Sequence, residues 1–364
     1  MKMLFLALIC ALSLTFPAHA AYEQELEAQL QTQELRESVP EELQDLVSGV
    51  NLFTGEGLQE AFSGLKKLAV EAVKEQIRSV WTPSMKVLLV VMVCSVAGAF
   101  LTGERGEFVL SLTGGVAIAT LSLSQAQSIF QHGLQTIGRL YDFSSVLLPC
   151  LTGAAVLSGA SISAGTKYTA AVLVMNGLLN LSNTLLIPMI GAYLSLSIGG
   201  QLLGQSILTG AAKLMQKGTR LALTGVVVAF TSYLSIAGLI TSAGDAFAVR
   251  ATRTALSATL PVVGRIISDT ASTLVAGAGV LKGCIGAFGL VVILGLLITP
   301  VMGLGLRYLL FKAVGVLSEL FPQQKLSGLI SSIAGAFGLM LAVMGTGFVM
   351  LFLTLLSFMY LHGG

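Results

Sequence analysis

Residues 245–283 read DAFAVRATRTALSATLPVVGRIISDTASTLVAGAGVLKG, and a long apolar run, Cys284 to Leu306, follows at once. In the quoted stretch Leu256, Leu260, Val263, Ile267, Thr270, Leu274, Ala278 and Leu281 recur at three- and four-residue spacing, which is one stripe of an α-helix. Arg265, Ser268, Asp269, Ser272 and Thr273 fall between them on a more polar side. Pro261 and Gly264 interrupt near the start and predict a break or kink there. Two readings stand. One is a surface linker helix beside a membrane bundle. The other is a membrane-facing amphipathic segment or short hairpin over 245–282, marked by Leu260, Pro261, Gly264 and Asp269, that shapes a path or a docking face.

The rest of the composition places this stretch in a membrane protein. The chain is 54% hydrophobic and 10% charged, with mean hydropathy +0.87, whereas soluble domains carry about 25% charged residues. Its 41 glycines agree, because small residues let membrane helices approach closely. A net charge of +2 gives no reason to expect a nucleic-acid partner. The distribution of charge says more. Between Ala21 and Lys86 twelve residues are acidic and six basic; beyond Lys86 six are acidic and thirteen basic. The acidic part reads as a separate, water-exposed segment, and the basic residues read as loops between spans. Cys10, Cys94, Cys150 and Cys284 lie in or beside apolar runs without CxxC spacing, so they read as buried apolar thiols rather than metal or redox groups.

In chain order, residues 1–20 have the pattern of a secretory signal peptide: Lys2, an apolar core from Met3 to Phe16, and Ala18-His19-Ala20 before Ala21. That apolar core is shorter than the ~20 residues a span needs. Residues 21–84 then form an acidic helical segment expected outside the cytoplasm. Its opening is rich in Glu and Gln with few apolar anchors, and an apolar stripe begins at Leu58. Trp81 and Pro83 mark the entry to a multi-pass domain, residues 85–364.

Apolar runs predict spans at Met85–Leu101, Phe108–Leu123, Phe143–Ile162, Leu221–Ala243, Cys284–Leu306 and Leu329–Leu361. Residues 168–203 are too long for one span and are expected to form a hairpin turning near Pro188. His132, Arg139 and Asp142 fall in an expected loop. The fold class is an all-α polytopic bundle of about seven to nine spans. With an outside N-terminus, the inside loops hold Arg105, Lys167, Lys213, Lys217, Arg220, Arg307, Lys312 and Lys325, in keeping with the positive-inside rule.

Polar residues inside apolar runs are the remaining candidates. Asn176, Asn180 and Asn183 share one helical face, either as hydrogen-bonding glue between helices or as the lining of a polar path. Gly295, Thr299 and Gly303 repeat every fourth residue beside Pro300, a close-packing face with a kink. Strong ionisable residues are missing from the middle of the expected spans, which argues against an ion-coupled carrier. The sequence has no P-loop, no HExxH and no Ser/His/Asp arrangement, and His19, His132 and His362 are its only histidines. No catalytic residue, cofactor or metal is expected, and the chain reads as a non-enzyme.

LPVVGRIISDTASTLVAGAGVLKG (residues 260–283), followed by a Gly-rich apolar span with Pro300, resembles the signature region of the stage III sporulation protein AE family. The resemblance implies a multi-pass protein of the mother-cell membrane around the forespore. It further implies co-encoded partners, among them a secretion-type ATPase and ring-forming subunits, and contact with the forespore's stage II sporulation protein Q. Such a complex would act as a channel supporting late forespore gene expression. A stand-alone secondary transporter and a scaffold that anchors partners in the lipid bilayer are the alternatives, and broken spans at Pro188 and Pro300 without a sequence repeat do not favour the transporter.

Overall fold

The computed structural model describes residues 30, 32–101, 103–259, 263–321 and 324–359, with side chains outside 104, 124, 161, 162, 237–276 and 324. Two short helices, α1 (Thr32–Glu37) and α2 (Glu41–Val47), precede the long α3 (Leu58–Phe100). Six more helices follow among the described residues, the first being α4 (Glu104–Leu157). Next come α5 (Ser161–Leu181) and α6 (Ile187–Leu203), joined through a π turn at Ser182–Leu186. The chain ends in α7 (Ser206–Thr259), α8 (Val263–Ser318) and α9 (Gln324–Met359). Counting α5 and α6 together, six helices are long and apolar enough to cross a membrane.

Among the described residues that number falls short of the expected seven to nine spans, and two local features account for the difference. Residues 124–142, expected as a loop, continue the helix, so two expected spans merge into the 54-residue α4. Gln125, Gln127, Gln131 and Gln135 lower the hydropathy there but are good helix formers. The expected hairpin at Pro188 is absent. Pro188 sits in the first turn of α6, in a helix that runs on from the π turn, and that wider turn makes room for the ring. The chain reverses instead at Gly204. With φ +67° this glycine takes the left-handed cap, and the Gln205 N–H donates to the Gly200 carbonyl.

Short connections make successive long helices run in opposite directions. Leu101 with Gly103, the turn at 204–205 and residues 319–321 therefore lie at one end of the bundle, and α1, α2 and the 158–160 turn lie at the other. Lys167, expected beside Lys213, falls at the opposite end. Helix α8 is the axis: it packs most extensively on α9 and also on α3 and α4. Inside lipid, association rests on close packing rather than on water exclusion. Gly289 of α8 receives Leu147, and Phe311 meets Phe337 edge-on with centroids 5.3 Å apart, a pair worth ~1 kcal/mol. At about 1.5 Å per residue, the 56 residues of α8 run some 80 Å, far beyond a ~30 Å hydrocarbon core. The bundle extends outside the bilayer.

The acidic segment is not a body of its own. Its described charged residues face outward, but Leu35, Leu43, Val47, Val50 and Leu52 join the same apolar core as the long helices. Arg36 Nη2 donates to the Val50 carbonyl at 2.6 Å, and Asn51 Oδ1 accepts from the Phe53 and Thr54 N–H groups, closing a strap that leads into α3. Gly57 has φ +80°, and a Cβ there would lie 2.3 Å from the Gly49 carbonyl oxygen. The division expected at residue 84 falls inside α3.

Candidate functional site: a polar cleft between three helices

A cleft of about 540 Å³ opens between α3, α4 and α8 beneath α2. Helix α3 contributes Gln76 and Ser79, and α4 contributes Ser128, His132, Gln135, Thr136 and Arg139. Helix α8 contributes Gly295, Thr299, Pro300, Gly303 and Arg307. Spacings of four and three on α4 and of four on α8 turn these residues to one side of each helix. Gly295 and Gly303 leave α8 without a side chain at two of these positions. Part of the space is taken back: a Cβ on Gly295 would meet Leu43 of α2 at 2.8 Å, and one on Gly303 would meet Gln76 Oε1 at 3.1 Å.

Arg307 dominates its chemistry. Its Nη1 donates to Gln76 Oε1 at 3.0 Å and to the Gly303 carbonyl at 3.1 Å. Its Nε is buried and has no hydrogen-bond partner among the described residues, and no described carboxylate pairs with it. A guanidinium so placed is a donor fork waiting for an acceptor. At the cleft's mouth Arg139 Nη1 stands 3.4 Å from Glu42 Oε1, both side chains being more than half exposed (52% and 73%). Such a pair contributes about 0–1 kcal/mol and ties α2 to α4 only lightly. Among the described residues no three metal-ligating side chains come together.

The other sequence candidates lie elsewhere. Asn176, Asn180 and Asn183 are exposed. Asn176 Nδ2 donates to the Val172 carbonyl of its own helix, and Asn180 Oδ1 accepts from Thr184 Oγ1. The stripe faces away from this chain's other helices. Pro188 stands behind the π turn, remote from the cleft. Leu260 and Pro261 lie outside the described residues; Gly264 and Asp269 lie on the first turns of α8. The small-residue stripe was read in the sequence as a packing face and here lines the cleft, whereas the polar stripe that faces it on α4 was hidden by the loop assignment. The spacing of Ser128, His132, Gln135 and Arg139 was the signal that could have found it.

A bundle of six helices long and apolar enough to cross a membrane, among the described residues, packed around a polar cleft, defines a multi-helix membrane protein. More particularly, the chain belongs to the stage III sporulation protein AE family, whose model matches residues 42–360. It is 23% identical over 202 residues to the stage III sporulation protein AE of Bacillus subtilis (strain 168), covering 55% of this chain and 51% of that one. The chain thus spans about half the length of this curated relative. No solved structure matches it.

Proposed function

We propose that this chain is a membrane subunit of a sporulation-specific, secretion-like channel complex linking mother cell and forespore, required for late forespore gene expression. It acts without catalysis of its own, in the mother-cell membrane around the forespore. Its partners on this reading are the other stage III sporulation proteins, including a secretion-type ATPase and ring-forming subunits, and the forespore's stage II sporulation protein Q. Residues 1–20 serve as the export signal, and α1 and α2 lie outside the cytoplasm. The family supports the sporulation role. The observation that favours a conduit over a passive anchor is the cleft, which holds a donor without a partner at the level of apolar helices. Arg307 also gives the transporter reading a foothold, because it is a half-buried ionisable group inside a long apolar helix.

The test is a reporter driven by a late forespore promoter, read together with membrane abundance of the chain. Deletion should silence the reporter, and Arg307→Leu should lower it at unchanged abundance. Late forespore expression that survives deletion would overturn the proposal. Wild-type expression in Arg307→Leu would remove the cleft from it.

A further inference from the structure

A second polar region opens on the other side of α8. Two pockets, about 390 and 230 Å³, share Gln216 and Ser331 and lie where α7 and α9 meet α6 and α8. Lys213 and Arg220 of α7 and Lys312 of α8 reach them, and no carboxylate lines either. Lys213, Gln216 and Arg220 are three and four residues apart, so α7 turns all three to one side. Lys312 Nζ donates to Ser331 Oγ at 3.3 Å, and none of the three cations has a carboxylate partner among the described residues. The floor is fixed by glycines of α9. A Cβ on Gly335 would lie 2.5 Å from Tyr193 Oη, which itself donates to the Ser332 carbonyl at 3.1 Å.

The surroundings say what supplies the missing negative charge. Leu214, Leu221 and Leu309, on the same helices as the cations, are 66%, 75% and 62% exposed, a frame suited to acyl chains rather than water. Arg220 and Lys312 in the larger pocket, with the shared Gln216 and Ser331 beside them and Lys213 in the adjoining smaller one, offer donors to the oxygens of a phosphodiester, and basic pockets between membrane helices take anionic head groups. We propose that this α7–α8–α9 pocket binds the phosphodiester head group of an anionic phospholipid. A free phosphate offers the same oxygens but leaves the apolar frame uncovered. The proposal does not depend on the channel reading.

The full chain, purified in neutral detergent, is incubated with phosphatidylglycerol or phosphatidylcholine, and retained lipid is read by native mass spectrometry. Phosphatidylglycerol should be retained at least tenfold better than phosphatidylcholine, and millimolar inorganic phosphate should not displace it. Lys213→Gln/Arg220→Gln/Lys312→Gln should abolish the preference, while Lys66→Gln/Lys67→Gln on the exposed face of α3 should keep it. Helicity by circular dichroism accompanies each variant. Should the triple variant misfold, Lys312→Gln alone should weaken retention severalfold and Lys312→Arg should restore it. Equal retention of the two lipids, or an undiminished preference in a folded triple or single Gln variant, overturns the proposal. Displacement by inorganic phosphate assigns the pocket to a free anion and overturns the lipid source.

Discussion

Glycines of α9 separate what packing demands from what helix propensity tolerates. Gly335 has Tyr193 Oη at 2.5 Å from a would-be Cβ, whereas Gly345 has nothing within 4 Å. Gly335→Ala is expected to lower stability by about 1–3 kcal/mol, and Gly345→Ala to raise it by about 0.5–1 kcal/mol, both read as thermal unfolding in detergent. The asparagine stripe gives a prediction of another kind. Since Asn176, Asn180 and Asn183 are exposed, replacing all three by Leu should leave the chain's own stability nearly unchanged. A loss of sporulation at normal membrane abundance would mark the stripe as a face for another subunit; a fall in abundance would return it to a structural role. Periodicity made it legible that Gly295, Thr299 and Gly303 share a helix face, but not that this face borders a cleft. Arg307 was not legible, because a charge just past an apolar run looks like a loop residue when the helix that carries it is assigned too short an end.

At the scale of elements, most of the expected spans lie within helices among the described residues, Phe143–Ile162 crossing the 158–160 turn, and the differences concern where helices stop. Hydropathy finds the lipid-compatible part of a helix; it does not see the polar continuation of α4 through Gln131 and His132 or of α3 from Leu58. Pro188 was read as a turn because proline usually ends a helix, yet the π turn at Ser182–Leu186 lets it begin one. Gly204 carries the reversal, and its φ of +67° is specific to glycine. Gly204→Val is expected to cost about 1–2 kcal/mol and to shift thermal unfolding down, while Gly165→Ala, in a helix with open space around it, should not.

Over the whole molecule the two differences in span assignment cancel. Losing one crossing in α4 and the hairpin at Pro188 leaves Lys213, Lys217 and Arg220 on the same side as Arg105, Lys312 and Lys325. An exported N-terminus, as the pattern of residues 1–20 predicts, would make that end the cytoplasmic one. Ser206→Cys, exposed at the start of α7, should resist a membrane-impermeant thiol reagent in intact cells and react after permeabilisation. Labelling of intact cells would invert the bundle.

The strap formed by residues 50–57 offers a clock as well as a tether. Cys284 of α8 lies beneath it, its Sγ 3.9 Å from the Phe53 carbonyl oxygen, and the thiol is shielded. Reagent reaches that sulfur only when the strap lifts, so the rate of modification counts local openings of the outer end. Gly57→Ala, which sets a Cβ against Gly49 in a left-handed backbone, should quicken the reaction at Cys284 and leave the buried Cys94 and Cys150 as slow as before. A partner that seats on α1 and α2 should slow it, and would announce itself through a single sulfur atom.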